Sequence, residues 1–124
     1  MGNRSDDHLD NLFEAAMNAC EKGASAADFE DAFVNLLRYI TCHPGSRAKA
    51  ENLFIGALDF KVTPWEVIAF CMHELRWDRI RREIESRARK ATDPRSQRVL
   101  GLMRESFEDR WDQREMYSYY TSRA

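Results

Sequence analysis

The sequence predicts an all-α protein, a compact bundle or short stack of αα-hairpins with six to seven helices. Over most of the 124 residues, apolar side chains recur at i, i+3 and i+4, the spacing of an amphipathic helix. Gly and Pro number only five and three, and most fall where these stretches end. The alternation typical of strands is almost absent. We expect residues 1–124 to form a single helical domain.

The first predicted helix opens after Asp6 and Asp7. Gly23 ends it, because glycine tolerates the left-handed backbone that follows many helices. The apolar face of this helix comprises Leu9, Leu12, Phe13, Ala16, Met17 and Cys20.

The second predicted helix begins at Ser25, and Asp28 three residues later completes an approximate capping box. It ends at His43-Pro44-Gly45, since proline disfavours helical geometry at the residue before it. Its apolar face comprises Phe29, Ala32, Phe33, Leu36, Leu37 and Ile40.

The third predicted helix runs from about Ser46 to Phe60. The next one starts at Thr63-Pro64-Trp65-Glu66, where Thr suits the N-cap, Pro the first turn and Glu the third helical position. No Gly or Pro follows until Pro94. An unbroken helix of about 42 Å would protrude from a compact chain of this size. We therefore expect a break near Trp77-Asp78, with Asp78 as an N-cap.

The last long helix is predicted to start at Asp93-Pro94, another N-cap and first-turn pair. Its apolar face comprises Val99, Leu100, Met103, Phe107 and Trp111. The C-terminal tail carries Tyr117, Tyr119 and Tyr120. This tail is too aromatic for a linker without contacts, and we expect it to pack against the rest of the domain.

Charge is divided along the chain. Residues 1–75 carry 6 basic and 12 acidic side chains, residues 76–104 carry 10 and 4, and residues 105–124 carry 3 and 5. An acidic body thus accompanies one Arg-rich segment, 76–104. Such a segment is a docking surface for a polyanion or an acidic partner, or else a solvated helix face.

Helical spacing supplies many of these arginines with a carboxylate one turn away, which favours a self-paired face. The i, i+4 pairs are Asp78–Arg82, Arg79–Glu83, Arg81–Glu85, Glu83–Arg87 and Glu85–Arg89. The acidic pI of about 5.9 also disfavours nucleic acid.

Three groups of residues are candidate partner-binding surfaces. The first is the basic row Arg79, Arg82, Arg89 and Lys90. The second is the aromatic tail with its neighbouring arginines, Arg110, Arg114, Tyr117 and Tyr120, because Tyr and Arg are frequent in protein interfaces. The third belongs to the acidic body and includes Asp28 and Asp31, which would face a basic partner.

No motif indicates a reaction, a metal or a cofactor. His73-Glu74-Leu75-Arg76-Trp77 has Trp77 where the zinc-protease motif needs its second histidine. We expect Cys20 and Cys71 to be small core residues, and His43 to serve a helix end. Glu66 and Glu74, which flank the apolar run of the fourth helix, are the only carboxylates that suggest acid–base chemistry. We expect no enzyme.

Apolar run length, the N-terminal sequence and the number of cysteines predict where the protein is located. The longest apolar run, residues 67–72, is far shorter than the roughly 20 residues that span a bilayer. The start lacks the apolar region of a signal peptide, and three cysteines do not make a disulfide framework. We expect a cytoplasmic protein without membrane contact.

In size and helical character the chain is similar to small helical bacterial proteins that act as inhibitors, immunity proteins or adaptors, although no residue motif carries that likeness. The sequence therefore predicts a non-enzymatic protein-binding module that docks another protein by charge complementarity. The alternative is a nucleic-acid-associated helical protein that uses segment 76–104, and the third hypothesis is an unrecognised enzyme. Homo-oligomer formation stays open.

Overall fold

The computed structural model describes residues 4–22, 26–59 and 64–122, without the side chains of residues 4–7, 26 and 28. The described residues form seven α-helices and no β-strand, which confirms the all-α bundle. The helices are α1 Arg4–Lys22, α2 Ala26–Cys42, α3 Arg47–Ala57, α4 Trp65–Leu75, α5 Asp78–Lys90, α6 Pro94–Glu105 and α7 Ser118–Thr121. Two 3₁₀ turns, Pro44–Ser46 and Asp112–Met116, accompany them.

Helix α4 is the central element of the bundle, because its side chains are apolar on nearly every face. Seven consecutive residues, from Val67 to His73, expose at most 8% of their surface. Helices α1, α2 and α6 pack around α4, and α5 packs against α3 and α6. The core of the described residues is accordingly built around α4.

Helix α2 buries the face that its spacing predicts. Phe33, Leu36 and Leu37 are fully buried, and Phe29 and Ile40 are nearly so. The helix ends as predicted before Pro44, and the Nδ1 atom of His43 lies 2.8 Å from the carbonyl oxygen of Tyr39. His43 thus serves a helix end.

Several predicted helix boundaries need correction or lie outside the described residues. Helix α1 begins at Arg4, before the two aspartates, and α3 ends at Ala57. The structural roles predicted for Gly23, Ser25 and Thr63 lie outside the described residues, as does Phe60.

The break between α4 and α5 is confirmed, although its N-cap differs from the prediction. Arg76 adopts a left-handed backbone (φ 49°, ψ 44°), so the chain turns there. Trp77 occupies the N-cap without a side-chain cap, and Asp78 is the first residue of α5. The predicted capping role of Asp78 is therefore wrong, because its carboxylate instead accepts from Arg81 and Arg82, at 2.7 Å each.

Helix α6 starts as predicted and ends earlier than predicted. The Asp93 Oδ2 atom accepts the backbone N–H of Ser96 at 2.9 Å, a regular N-cap. The helix stops at Glu105, so Phe107 and Trp111 are not part of its apolar face. At the next residue, the Ser106 hydroxyl donates to Met103 O at 2.6 Å and the Ser106 carbonyl lies 2.9 Å from His73 Nδ1. These bonds turn the chain away from the helix axis.

Residues 106–122, here called the C-terminal strap, pack back on the body as predicted. Trp111, Tyr117 and Tyr120 expose 2%, 1% and 7% of their surface. The Tyr117 ring lies 4.8 Å from that of Phe70 and 6.2 Å from that of Phe33, measured between centroids. The strap therefore contributes aromatic side chains to the core beside α2 and α4.

Candidate functional site

Of the ten cations of segment 76–104, five have an ion-pair partner among the described residues, and Arg89, Lys90, Arg95, Arg98 and Arg104 do not. The ion pairs are Arg76 with Asp109, Arg79 with Glu51, Arg81 and Arg82 with Asp78, and Arg87 with Asp59 and Glu83. In the shortest of these ion pairs, the guanidinium nitrogen lies 2.7 Å from the carboxylate oxygen. These ion pairs lie within α5 or connect α5 and the turn before it to neighbouring segments. The five arginines therefore contribute little free positive charge.

Helical spacing predicts some of these partners and misses others. The Asp78–Arg82 and Glu83–Arg87 pairs are confirmed, at 2.7 and 3.0 Å. Arg79 does not pair with Glu83. Its guanidinium reaches α3 instead, 3.3 Å from Glu51 Oε1 and 3.2 Å from Asn52 Oδ1.

Arg81 also departs from its predicted pair with Glu85. Its guanidinium lies 2.7 Å from Asp78, one turn in the other direction. That hydrogen bond holds the pKa of Asp78 below its ordinary value. Within the described residues, Arg89 forms no ion pair with Glu85.

Four cations without a described ion-pair partner surround the turn between α5 and α6. Arg89 and Lys90 end α5, and Arg95 and Arg98 lie in the first turns of α6. All four are exposed. We call these four residues the cationic corner. Its charge is free to meet an anionic ligand or partner.

The helix dipoles distinguish the two halves of the cationic corner. Cations at a helix C-terminus are favourable, so Arg89 and Lys90 stabilise α5. Arg95 lies in the first turn of α6, next to the N-cap Asp93, and Arg98 lies in the second turn. The helix dipole disfavours a cation in the first turn by a few tenths of a kcal/mol, and this effect fades beyond that turn. The helix dipole therefore does not favour Arg95, and it has little effect on Arg98.

An open groove of about 950 Å³ lies beside the cationic corner, and we call it the α4–α6 groove. Its apolar lining comprises Leu58, Trp65, Val99, Leu100 and Met103. Its charged lining comprises the cations Arg87, Lys90 and Arg95 and the carboxylates Glu21, Asp59, Glu66 and Asp93. The groove is therefore of mixed charge around its apolar lining.

The structure places Tyr117 and Tyr120 of the predicted aromatic contact surface inside the core. Both side chains are buried in the core, so neither is available to a partner while the strap is in place. Burial also raises the pKa of the Tyr117 phenol. The Tyr120 hydroxyl donates to the carbonyl oxygen of Phe70. These tyrosines anchor the strap.

The two arginines predicted beside those tyrosines lie in different environments. Arg114 is partly buried, and its guanidinium is 3.5 Å from the carbonyl oxygen of Tyr120. Arg110 is exposed and has no ion pair within the described residues. Neither residue belongs to the cationic corner.

The acidic candidates lie on α2. Asp31 is exposed, whereas the side chain of Asp28 lies outside the described residues. Their neighbour Glu30 has a structural role that sequence reasoning missed. Its carboxylate accepts the backbone N–H groups of Ser118 and Tyr119, at 3.1 and 2.7 Å, and so binds the strap.

The cysteines and histidines of the core do not form a reactive arrangement. Cys71 is fully buried, as predicted, and burial raises the pKa of its thiol. Cys20 is only partly buried. Its burial, with Glu66 hydrogen-bonded to it, raises the pKa of the thiol to about 12. Both thiols are therefore poor nucleophiles at neutral pH.

Glu66 and Glu74, the two carboxylates considered for acid–base chemistry, each contact a different side chain. The Glu66 side chain is hydrogen-bonded to the Cys20 thiol, and Glu74 accepts the Tyr119 hydroxyl at 3.2 Å. Among the described side chains, no three His, Cys, Asp or Glu residues are grouped to hold a metal ion.

Of the four basic residues in the predicted row, Arg79, Arg82 and Arg89 line one surface pocket along α5, and Lys90 lines the α4–α6 groove. Arg79 and Arg82 are already paired with Glu51 and Asp78. Sequence reasoning missed Arg95 and Arg98. A signal for them is present in the sequence, since neither has a carboxylate three or four residues away on its helix.

No described helix is both long and apolar enough to cross a membrane. Comparison of the chain with protein-family models, with curated proteins and with solved structures finds no match.

Proposed function

We propose that this protein is a non-enzymatic protein-binding module that docks an acidic surface of another protein on the cationic corner. The observation that carries the proposal is the placement of Arg95 and Arg98. Both are exposed and lack an ion pair within the described residues, and Arg95 stands in the first turn of α6, where the helix dipole disfavours cations. A role in binding accounts for these two side chains, because the stability of the fold does not require them.

Charge complementarity is the proposed basis of recognition. Arginine is enriched in protein interfaces, and unpaired surface charges steer encounter with an oppositely charged partner. The paired arginines of α5 contribute to the fold instead, because carboxylates of the same chain already neutralise their charge. Inhibitors, immunity proteins and adaptors are the proposed classes. The reducing cytoplasm is the proposed location, supported by three free cysteines.

Nucleic acid is the alternative occupant of the cationic corner. Four phosphate contacts would give a slope of about −3.6 in log K against log salt for a duplex. The excess of acidic residues over the first 75 positions opposes such a partner. The protein-binding proposal is therefore the better supported of the two.

Capture from the source cell with a matched pair of charge reversals tests the proposal. The test variant is Arg95→Glu/Arg98→Glu, which keeps α6 folded because glutamate suits the first turns of a helix. The control, Arg38→Glu/Arg104→Glu, makes the same change in net charge at exposed residues outside the cationic corner and outside the predicted partner-binding groups. Lysates are treated with nuclease, bound proteins are identified by mass spectrometry, and the purified partner is titrated by calorimetry.

We expect one acidic protein to bind the wild type and the control with equal affinity, and to bind the test variant at least about tenfold more weakly. Equal binding by all three forms would refute the cationic corner as the docking surface. Capture that disappears after nuclease treatment, with a steep salt dependence on a purified duplex, would replace the proposal with the nucleic-acid alternative.

A further inference from the structure

One buried histidine of α4 contacts the C-terminal strap at its beginning, its middle and its end. His73 exposes 8% of its surface, and its Nδ1 atom donates to the Ser106 carbonyl oxygen at 2.9 Å. The His73 ring also packs against two rings of the strap. Its centroid lies 4.9 Å from that of Trp111 and 4.8 Å from that of Tyr120. A change in the charge of His73 therefore acts on the whole strap.

Side chains fasten the strap to the rest of the domain. The backbone–backbone hydrogen bonds of the described strap residues lie within the strap or continue from the end of α6. Towards α2, the Glu30 carboxylate accepts two N–H groups of the strap. Towards α4, the Tyr120 hydroxyl donates to the Phe70 carbonyl oxygen. The strap is therefore able to open locally without breaking the backbone hydrogen bonds within α2 and α4.

The charged groups near His73 come from α4 with its following turn and from the strap. Burial is the main cause that holds the pKa of His73 below 6.5, against the hydrogen bond that its ring donates. The guanidiniums of Arg76 and Arg114 lower this pKa further, and Glu74 raises it. Asp109 of the strap interacts with His73 as well, while its carboxylate binds Arg76 at 2.7 Å. Within the described residues, no charged group of α1, α2 or α6 is among those that shift this pKa.

We propose that the C-terminal strap is an acid-sensitive cover, which opens when His73 takes up a proton at Nε2 while α1–α6 stay folded. Opening returns the charged ring to water and moves Arg114, a strap residue, away from it. The open form thus binds the proton more readily than the closed form, so the opening constant rises as the pH falls below 6.5. The open form is the minor one, because Trp111 and Tyr117 bury nearly all of their surface in the closed form.

Acid thereby makes an aromatic surface of the core accessible. Tyr117 and Tyr120, which no partner reaches while the strap is closed, come into contact with water in the open form. The rings of Phe33 and Phe70 are uncovered with them, since they lie 6.2 and 4.8 Å from that of Tyr117 in the closed form. The open population sets how often the domain presents this surface.

Hydrogen exchange of the native full chain tests the proposal between pH 5.5 and 7.5, a window of about two units above the range in which ordinary carboxylates titrate. The Trp111 indole N–H reports on the strap. It is buried without a hydrogen-bond partner in the described part of the chain, so access of solvent alone limits its exchange. The backbone amides of Leu36 and Leu37, two fully buried residues of α2, report on the helices. NMR measures the exchange rates, and division by the rates of unprotected tryptophan and peptide models at the same pH gives each opening constant.

Two pairs of variants assign the effect. His73→Gln removes the titrating group but retains a side-chain donor, and His43→Gln is its control at an exposed histidine outside the strap. Arg114→Gln removes a strap cation that lowers the pKa of His73, whereas Arg110→Gln removes an exposed strap cation that is not among the groups that shift it. The arginine pair decides the assignment if His73→Gln fails to fold by circular dichroism.

We expect the opening constant at Trp111 to rise between about twofold and tenfold from pH 7.5 to 5.5, because one proton changes it by at most about tenfold per pH unit below 6.5. The rise should be equal in the controls His43→Gln and Arg110→Gln. It should be absent in His73→Gln and smaller in Arg114→Gln.

Three results would overturn the proposal. A constant value at Trp111 in the wild type would show that the strap does not respond to acid. A full rise that persists in His73→Gln, or in Arg114→Gln where His73→Gln does not fold, would assign the response to another group. Opening at Leu36 and Leu37 that is as frequent as opening at Trp111 would show that the strap opens only when the whole domain unfolds.

Discussion

The Glu30 carboxylate in α2 accepts the backbone N–H of Tyr119 at 2.7 Å, although 89 residues separate them in the chain. The adjacent N–H of Ser118 donates to the same carboxylate at 3.1 Å. Glu30 thereby satisfies two donors at the start of α7 and fastens the end of the C-terminal strap to the body.

Replacing Glu30 with alanine should lower the free energy of unfolding by about 2 kcal/mol, because hydrogen bonds to a charged acceptor are among the stronger ones. Urea denaturation followed by tryptophan fluorescence measures the loss. Asp31→Ala is the matched control, since its exposed carboxylate has no partner within the described residues. That control should stay within about 0.5 kcal/mol of the wild type. Equal losses in the two variants would show that Glu30 does not hold the strap.

Stability should decrease as the pH falls below 6.5, the ordinary pKa of histidine. Burial lowers the pKa of His73, and the hydrogen bond with the Ser106 carbonyl partly opposes this effect. The nearby Arg76 and Arg114 guanidiniums lower the pKa further, and Glu74 raises it slightly. The unfolded chain therefore binds a proton at His73 more readily than the folded chain does. The free energy of unfolding decreases as the pH falls from the ordinary pKa of histidine to the lowered pKa of His73. Well above pH 6.5, where His73 is unprotonated in both the folded and the unfolded chain, it contributes no pH dependence.

Unfolding experiments between about pH 4.5 and 7.5 measure this effect in the range where histidine titrates. The carboxylates of Asp78 and Asp109 do not interfere, because hydrogen bonds from Arg81 and Arg76 hold their pKa values below 3.8. His73→Gln should flatten the slope. A slope that persists in this variant would assign the effect to other groups.

Trp111 should tolerate phenylalanine far better than alanine. Its indole Nε1 atom is buried with no hydrogen-bond partner in the described part of the chain. Trp111→Phe loses some packing but also removes this unpaired donor, whose burial is unfavourable by about 1–3 kcal/mol. We expect a net loss below about 1.5 kcal/mol, against about 3–5 kcal/mol for Trp111→Ala. Thermal unfolding of both variants makes the comparison, and similar losses would mean that the indole N–H is satisfied in solution.

Glycine should be the better small replacement for Arg76. The backbone of Arg76 is left-handed, with φ 49°. This conformation is unfavourable by about 1–2 kcal/mol for a residue with a Cβ atom. Both Arg76→Gly and Arg76→Ala remove the 2.7 Å contact with Asp109 and the 3.1 Å bond to the His73 carbonyl. Only alanine retains the backbone strain, so we expect Arg76→Gly to be more stable by about 1 kcal/mol. Urea titrations that place Arg76→Ala above Arg76→Gly would contradict this.

The helices were largely predictable because their signals are local. Residues within one turn set the apolar face of α2, the Asp93 cap of α6 and the stop at His43-Pro44. The break before α5 was predictable from the length limit of a compact chain. The cap at Asp78 was not, because two arginines on the next turn compete for the same carboxylate.

The candidate site was only half predictable. Arg89 and Lys90 were identified from composition and helical spacing. Arg79 was expected to pair with Glu83 on its own helix, and its actual partners were not predictable because Glu51 and Asn52 lie on another helix. Tyr117 and Tyr120 looked exposed because three tyrosines within four positions cannot share one helical face. The 3₁₀ turn and the short α7 instead let these side chains reach the core.

The sequence by itself determined the all-α class, the second and sixth helices and the division between acidic body and Arg-rich segment, because helix periodicity, capping and composition depend on neighbours along the chain. The tertiary structure alone decided which arginines are neutralised, where α6 stops and what the terminal tyrosines do. Those outcomes depend on contacts between residues far apart in the chain, such as Glu30 with Tyr119 and Arg79 with Glu51. The free charge left beside the α4–α6 groove is what remains after those contacts have formed.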